Sequence, residues 1–308
     1  MREIELPIDG VAVGHHTDAA ARTGCTVVLF PDGSVASGEV RGGAPATREF
    51  ALLDPTRTVA RIDAVVLSGG SAFGLAACDG VMRWCAEHDR GFETAAGRVP
   101  IVVGMALFDL SQGDAAVRPT ADDGYWAAAR AVTGRVPWGV VGAGTGATMG
   151  KWRGKDHQQA GGLGVAVVRR DALVVAAIVA VNAVGDIDDG VAAAAIAGGS
   201  FVWPVPPAQF GGPAGAAAGV AGDAGVNTTI GVLITNAQLD KTACQLLAQS
   251  GHDGLARALF PAHARSDGDA LVAVSVPSAV GQAPADGEID VARILGTVAV
   301  ERAVRSLA

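Results

Sequence analysis

Two long apolar segments, residues 164–168 and 173–181, flank the polar triplet Arg169-Arg170-Asp171. The triplet is typical of a hairpin turn, and each segment is typical of a β-strand. Neither segment alternates apolar with polar residues, so both faces of the predicted strands need to be covered. Because helix-like segments lie before and after the hairpin, the chain is expected to fold in layers, with sheets covered by helices. The pattern alone is compatible with an α/β or an α+β fold.

The rest of the chain predicts further elements of both kinds. Apolar runs and turn signals predict strands at residues 25–30, 64–67, 101–107, 228–234 and 270–276. Periodicity and capping signals predict helices at residues 73–88, 122–132, 188–197, 240–249, 254–259 and 288–306. Residues 204–225 are rich in Pro, Gly and Ala without periodicity and are interpreted as an irregular, exposed connection. Since no linker or fixed-period repeat is found, residues 1–308 are expected to form one domain.

Charge and cysteine usage narrow the class of protein. A net charge of −8 argues against a nucleic-acid partner, which would require a basic surface to neutralise phosphates. The short basic cluster Lys151, Arg153 and Lys155 is interpreted as a solvated loop. The four cysteines form no CxxC pair, and the N-terminus has no apolar signal segment. A cytoplasmic protein with reduced thiols and no membrane association is expected.

The glycine-rich run at residues 142–147 does not predict a nucleotide site. A dinucleotide-binding loop lies between a strand and a helix, whereas this run continues into Met149-Gly150-Lys151-Trp152, which does not resemble a helix start. The sequence thus implies no organic cofactor, and it offers no spacing typical of a metal site.

The junction between Asn227 and Thr228 carries the strongest chemical signal. An irregular segment ends there and a β-rich run begins, which places a hydroxyl beside the preceding carbonyl. Attack by that hydroxyl and hydrolysis of the resulting ester would release Thr228 as a new N-terminus, whose amine can act as base for its own hydroxyl. Considered without further signals, Thr228 and Thr229 would be interpreted as ordinary residues of a strand.

Several sequence blocks carry a family resemblance across nearly the whole chain. They are Gly14-His15, Arg41-Gly42-Gly43-Ala44-Pro45, Arg48-Glu49, Leu67-Ser68-Gly69-Gly70-Ser71-Ala72-Phe73-Gly74-Leu75, Phe108-Asp109-Leu110, Gly144-Thr145-Gly146-Ala147, Gly150-Lys151-Trp152-Arg153-Gly154 and the segment 179–186 around Asn182. Together with the Asn-Thr junction, these blocks resemble the P1 family of N-terminal-nucleophile hydrolases. That family includes the L-aminopeptidase/D-esterase, the β-peptidyl aminopeptidases and the nylon-oligomer hydrolase.

The resemblance implies an α+β fold, a four-layered αββα sandwich with two sheets between helical layers. It also implies self-cleavage into an α-chain of residues 1–227 and a β-chain of residues 228–308. Thr228 matches the nucleophile, Asn227 the residue whose carbonyl is cut, and Asn182 the side chain that donates to the oxyanion. The implied substrate is a small peptide or amide with a free N-terminus, no cofactor is needed, and a homotetramer is expected.

Two aspartates complete the predicted site. Asp267 and Asp269 match paired polar positions of the family, in the two-aspartate version found in the nylon-oligomer hydrolase. Their implied role is to hold the ammonium and hydroxyl of Thr228 and to tune the pKa of its amine. Without the resemblance, residues 267–269 would be interpreted as an ordinary Asp-Gly turn.

One departure from the family pattern leaves the function open. Family members often carry a site lysine where this chain has Ala160, and either Lys151 or Lys155 could substitute for it. Three alternatives to an aminopeptidase therefore stay open. They are an endo-type hydrolase of linear oligoamides, an acyltransferase resembling the ornithine acetyltransferases, and a binding protein without turnover.

Overall fold

The computed structural model describes residues 2–153, 155–202, 227–277 and 288–308. Its strands are β1 (Arg2–Glu5), β2 (Ala12–Asp18), β3 (Thr23–Leu29), β4 (Val35–Val40), β5 (Ala46–Arg48), β6 (Ala64–Ser68), β7 (Phe92–Thr94), β8 (Gly97–Val99), β9 (Val102–Ala106), β10 (Val132–Thr133), β11 (Arg135–Trp138), β12 (Thr148–Met149), β13 (Gln159–Ala160), β14 (Gly162–Arg170), β15 (Leu173–Asn182), β16 (Asp186–Ile187), β17 (Thr228–Thr235), β18 (Leu259–Phe260) and β19 (Ala270–Ser275). Its α-helices are α1 (Ala77–Glu87), α2 (Ala121–Ala129), α3 (Val191–Ala197), α4 (Lys241–Ala258) and α5 (Glu288–Arg305). Short 3₁₀ helices cover Phe50–Leu53, Ser71–Ala76, Gly142–Gly144, Lys151–Arg153 and Lys155–His157.

Two mixed sheets form the centre of the fold. One has the strand order β10-β2-β3-β6-β9-β5, and the other has the order β14-β15-β17-β19-β4. Within them, β6 pairs with β9 and β17 with β19 in parallel, while the other pairs are antiparallel. Apolar side chains from both sheets form one buried cluster between them, which includes Val28, Val65, Met105, Val165, Ile178, Ile230 and Val272.

Helices cover the outer face of each sheet. Neighbouring residues of one strand point to opposite faces, so Val27 and Val66 leave the central cluster and pack with α1 and α2 instead. On the other sheet, Val175 and Leu233 pack with α4 and α5 in the same way. The result is a four-layered αββα arrangement, which confirms the predicted α+β fold class. It also confirms that the long hairpin of β14 and β15 is covered on both faces.

Glycine allows the layers to approach closely at particular points. A Cβ atom added to Gly164 of β14 would lie 2.0 Å from the carbonyl oxygen of Ala303 in α5. On the other sheet, one added to Gly14 of β2 would lie 2.0 Å from the carbonyl oxygen of Ala127 in α2. Real side chains do not tolerate such distances, so these glycines permit direct packing of helix backbone on strand backbone.

Most predicted strands are confirmed, with ends that shift by one or two residues. The predicted helices differ more. The helix predicted at 73–88 divides into the 3₁₀ segment Ser71–Ala76 and α1, and the one predicted at 122–132 ends at Ala129, since β10 follows. The helix predicted at 188–197 begins only at Val191, after Gly190 in the left-handed conformation (φ 88°).

The two helices predicted at 240–249 and 254–259 are one continuous helix, α4. The prediction left residues 250–253 out of the helix, whereas the chain stays helical through them. A Cβ atom at Gly254 would lie 2.4 Å from the carbonyl oxygen of Thr297 in α5, so this glycine allows two helices to pack closely. The predicted irregular connection at 204–225 lies outside the described residues. Within the described part of the chain, no helix is both long and apolar enough to cross a membrane.

Candidate active site

The predicted site residues meet at one end of the five-stranded sheet. Strand β15 ends at Asn182, and the antiparallel β17 begins at Thr228, so these two residues lie directly opposite each other. Strand β19 runs parallel to β17 and begins after Asp267 and Asp269, which therefore lie at the same end. The structure brings together all four side chains, and none is more than 5% exposed.

The bond between Asn227 and Thr228 lies inside this site. The carbonyl oxygen of Asn227 accepts a hydrogen bond of 2.9 Å from the backbone N–H of Gly268, and the Thr228 hydroxyl donates to the same oxygen. A Cβ atom on Gly268 would lie 2.7 Å from Thr228 Oγ1, so a glycine is needed for this contact. The nucleophile candidate and the carbonyl it would attack are thus held together by backbone groups.

The two aspartates accept hydrogen bonds from backbone N–H groups, whereas the Thr228 hydroxyl donates to the Asn227 carbonyl oxygen. Asp269 Oδ1 accepts from the N–H of Thr229 at 2.7 Å, and Asp267 Oδ2 accepts from the N–H of Ala264 at 2.7 Å. Asp269 Oδ2 accepts from the N–H of His263 at 3.2 Å and lies 2.8 Å from its Nδ1. The Asp-Gly-Asp segment is therefore fixed against β17, next to Thr228.

The pKa of Asp267 is raised to about 7. Burial is the larger cause, and the nearby negative charge of Asp269 is the second. Two carboxylates that share a buried site repel each other, so one of them holds a proton more strongly than usual. A cation formed beside them would reverse this effect. The pair is therefore suited to stabilise a new positive charge.

Asn182 is oriented by contacts at both ends of its amide. Its Oδ1 accepts from Lys151 Nζ at 2.8 Å and from the N–H of Thr148 at 3.0 Å. Its Nδ2 donates to the carbonyl oxygen of Phe108 at 2.9 Å. Because donors surround the oxygen, the NH₂ group is the end that can donate. A neutral donor held in this way is the type of group that stabilises an oxyanion.

The interpretation of Lys151 as part of a solvated loop was wrong. Its ammonium also donates to the backbone oxygen of Asn182 at 3.2 Å, and its positive charge lowers the pKa of both Asp267 and Asp109 against the upward effect of burial. Trp152 fixes this position, since its Nε1 donates to Asp186 at 2.8 Å. The side chains of Arg153 and Lys155 lie outside the described part.

Ala160, which stands where the family lysine was expected, is exposed. It lies in the short strand β13 and pairs with Thr148 in β12, the strand that leads into Lys151. Lys151, in the connection between β12 and β13, brings an ammonium to the site. The sequence contained a signal for it, because Gly150-Lys151-Trp152 is one of the blocks that carry the resemblance.

The other sheet contributes a residue that the sequence did not predict for the site. Asp109 is buried, and its carboxylate accepts from the N–H of Gly70 at 2.7 Å and from Thr23 Oγ1 at 2.8 Å. Burial raises the pKa of Asp109. The preceding residue, Phe108, binds Asn182, so the blocks Ser68–Leu75 and Phe108–Leu110 of the sequence meet at the site. Among the described residues, no group of three or more His, Cys, Asp or Glu side chains is arranged to hold a metal ion.

Comparison with known proteins identifies the family of the chain. The model of peptidase family S58 matches residues 7–306. The chain belongs to peptidase family S58. As a member of that family it is a hydrolase of peptide or amide bonds, and the family resemblance of the sequence is confirmed.

Relatives of the chain carry different names. An "uncharacterized aminopeptidase" of Mycobacterium leprae is 41% identical over 306 residues, which cover 91% of this chain and 80% of the relative. A "6-aminohexanoate-oligomer endohydrolase" of Kocuria sp. (strain KY2) is 30% identical over 292 residues, covering 88% of this chain and 74% of the relative.

Solved structures share the fold of this S58 protein. The L-aminopeptidase D-Ala-esterase/amidase of Ochrobactrum anthropi, described as a variant of the Ntn-hydrolase fold, superposes with a TM-score of 0.69 at 20% identity, covering 97% of this chain and 84% of the other. A β-aminopeptidase of Burkholderia sp. gives a TM-score of 0.69 at 22% identity with the same coverage.

The raised pKa of Asp267 predicts a specific dependence of stability on pH. In an uncut Thr228→Ala chain, the neutral Asp267 is favoured by folding, so its contribution is present at pH 4 and is lost as the pH rises to about 7. The additional change Asp267→Asn removes this dependence. Denaturant unfolding gives the free energy of unfolding of the chain with both changes and of the Thr228→Ala chain. The first value minus the second should rise by about a few kcal/mol from pH 4 to pH 8.

The quantity to follow with pH is the difference in free energy of unfolding between the two variants. His15 and His252 are buried, which lowers the pKa of each to about 4, and their titration makes stability rise with pH over part of the same range. This contribution is common to both chains and cancels. A difference that stays constant across the range would show that Asp267 is ionised in the uncut chain.

Proposed function

We propose that this S58 protein cuts its own chain between Asn227 and Thr228 and then uses Thr228 as the nucleophile of an aminopeptidase or amidase. The observation that carries the proposal is the register of β15 and β17. It sets the Thr228 hydroxyl beside the Asn227 carbonyl and opposite Asn182, an amide with its donor end oriented.

Self-cleavage proceeds by an acyl shift. Thr228 Oγ1 attacks the carbonyl carbon of Asn227, the C–N bond breaks, and the hydroxyl proton passes to the leaving nitrogen. The Gly268 N–H, already at 2.9 Å from the carbonyl oxygen, stabilises the charge that develops there. Water then hydrolyses the ester, which leaves a carboxylate on Asn227 and an amine on Thr228.

The new amine activates its own hydroxyl in each catalytic cycle. It takes the proton of Thr228 Oγ1 as the hydroxyl attacks a substrate carbonyl, Asn182 Nδ2 donates to the oxyanion, and the protonated amine supplies the proton to the leaving amine of the substrate. Water completes the cycle by hydrolysing the acyl-threonine. Asp267 and Asp269 stabilise the ammonium form, while Lys151 keeps Asn182 in position.

The cut fragments, residues 1–227 and 228–308, are expected to stay together as one folded unit. Strands β17 and β19 belong to the second fragment, yet they lie between β15 and β4 of the first. Separation would break the sheet and expose the cores on both of its faces. The substrate we propose is a small peptide or amide with a free N-terminus. The homotetramer and the cytoplasmic location stay predictions.

Intact mass spectrometry tests the proposal. The parent protein is expected to give two fragments that meet at Asn227 and Thr228. Thr228→Ala should give one unbroken chain, because the nucleophilic oxygen is gone, and Thr228→Ser should still be cut, more slowly. Thr229→Ala is the matched control and should be cut like the parent. Cleavage of the Thr228→Ala chain at the same bond would contradict the proposal.

An endo-type oligoamide hydrolase is a second candidate. It is favoured by the two-aspartate pair, by the ammonium that Lys151 supplies despite Ala160, and by the endohydrolase relatives at about 30% identity. No observation on the described residues favours an acyltransferase. The alternative without turnover is set aside because the chain belongs to a peptidase family.

N-terminal acetylation of a linear 6-aminohexanoate oligomer distinguishes the two candidates. An aminopeptidase releases one unit at a time from the free amino end, so acetylation should abolish its activity, since the ammonium it binds is gone. An endohydrolase should cut the acetylated oligomer at internal bonds. Mass analysis of early products, with the unmodified oligomer and a short peptide amide as controls, decides between them.

A further inference from the structure

His263 makes contacts on both of its ring nitrogens, next to the site. Nδ1 lies 2.8 Å from Asp269 Oδ2, and Nε2 lies 3.3 Å from the carbonyl oxygen of His252. A carbonyl oxygen can only accept, and a carboxylate accepts unless it is protonated. The neutral imidazole has a single N–H, so it satisfies only one of these contacts, whereas the imidazolium satisfies both.

The neighbouring charges favour this charged form. Burial lowers the pKa of His263, but the hydrogen bond and the negative charge of Asp269 outweigh burial, so the pKa lies above its usual value. His252, which packs edge-on against it at 5.0 Å, is neutral because burial lowers its pKa to about 4. The other nearby cation, Arg41, pairs with Glu39 at 2.8 Å and with Asp253 at 3.2 Å.

The backbone of His263 is also specialised for this position. Its φ of 57° lies in the left-handed region, and its own N–H donates to the same carboxylate oxygen at 3.2 Å. Asp269 is thereby bound on one oxygen by two groups of His263 and on the other by the N–H of Thr229. His263 and the residue after the nucleophile are joined through a single carboxylate.

We propose that His263, as an imidazolium, is a positioning residue for Thr228. It offsets the charge of Asp269 and keeps that side chain fixed on the N–H of Thr229, which leaves Asp267 as the carboxyl that takes up and releases the proton when the Thr228 amine changes charge. This inference rests on the proposed function, because it assigns separate roles to the two aspartates of that site.

The assignment follows from the charges on the two carboxyls. Asp267 and Asp269 are both buried, and two unneutralised carboxylates so close together would repel. The imidazolium offsets one of the two charges, and it lies on Asp269 alone. When Thr228 gains its ammonium, the second carboxyl, Asp267, can ionise without leaving the site with excess negative charge.

The substitution His263→Asn removes the positive charge of the side chain and keeps a hydrogen-bond donor. Asparagine tolerates the left-handed backbone, and its amide nitrogen can donate close to the place of Nδ1, but it carries no charge. Loss of the positive charge leaves the negative charge of Asp269 uncompensated, which raises the pKa of Asp267 further, so the acidic limb of the self-cleavage rate and of kcat/KM should move to higher pH, by about one unit. His88→Asn, on α1's C-terminal end in the outer layer, is the control and should leave the limb unchanged.

The pH profile distinguishes positioning by charge from a structural role. A His263→Asn protein that cleaves and turns over less well, but with the parent's acidic limb, would overturn the proposal. His263→Ala is expected to lower the rate further at every pH, because it also removes the side-chain donor. If that variant does not fold, His263→Asn still provides the measurement.

NMR titration of the uncut Thr228→Ala chain measures the pKa of the His263 ring independently of self-cleavage and turnover. The ring is expected to titrate above the usual pKa of about 6.5 for histidine, and Asp269→Asn should lower that value. Titration at or below 6.5 that Asp269→Asn does not change would overturn the proposal even if the chain cuts itself. If the parent is never cut, the proposed function fails, whereas the coupling of His263 to Asp269 is still decided by this titration.

Discussion

The register between β15 and β17 sets the arrangement around the Asn227–Thr228 bond. It sets Asn182 opposite Thr228, and the parallel pairing of β17 with β19 sets residues 267–269 at the same sheet end. A slip of one residue would turn the Thr228 side chain to the other face of the sheet. The apolar cores on both faces of the sheet oppose such a slip, because each residue of β17 is buried. The site is therefore positioned by the hydrophobic core.

Charge balance is the second constraint on this site. Three carboxylates, those of Asp109, Asp267 and Asp269, are buried at the same end of the two sheets. Lys151 and His263 supply the compensating positive charge, and each does so through a hydrogen-bonded contact with a site residue. An ammonium on Thr228 would add a third cation. The uncut chain thus lacks one positive charge that cleavage would provide, which is consistent with the raised pKa of Asp267.

The strands and the layers could be predicted from local patterns. An apolar run shows, without any other part of the chain, that its segment needs to be buried. The helices were predicted less well where glycine had a packing role, as in α4, since the neighbour that explains Gly254 lies in a distant segment. The grouping of Thr228, Asn182, Asp267 and Asp269 followed only from the family resemblance. Spacing along the chain does not show that residues 46 or 39 positions apart meet at one sheet end.

His263 was not predicted from the sequence, and the role of Lys151 was left open. Lys151 stands in a basic cluster that was interpreted as a solvated loop, although it was also offered as a substitute for the family lysine, and its contact with Asn182 places it at the site. No motif includes His263, and its importance depends on two hydrogen-bond acceptors brought to its ring by tertiary structure. Contacts of this kind are created by folding, so an isolated polar residue carries no signal of them in the sequence.

Trapping the acyl intermediate would show directly whether Thr228 is the nucleophile. Purified, self-cleaved protein is mixed with an activated ester such as p-nitrophenyl acetate, quenched with acid at short times and digested for peptide mass spectrometry. The account predicts a rapid burst of nitrophenolate and an acetyl group on the Thr228 side chain of the peptide that begins there. An acyl group found on another side chain, with turnover preserved in Thr228→Ala, would contradict it.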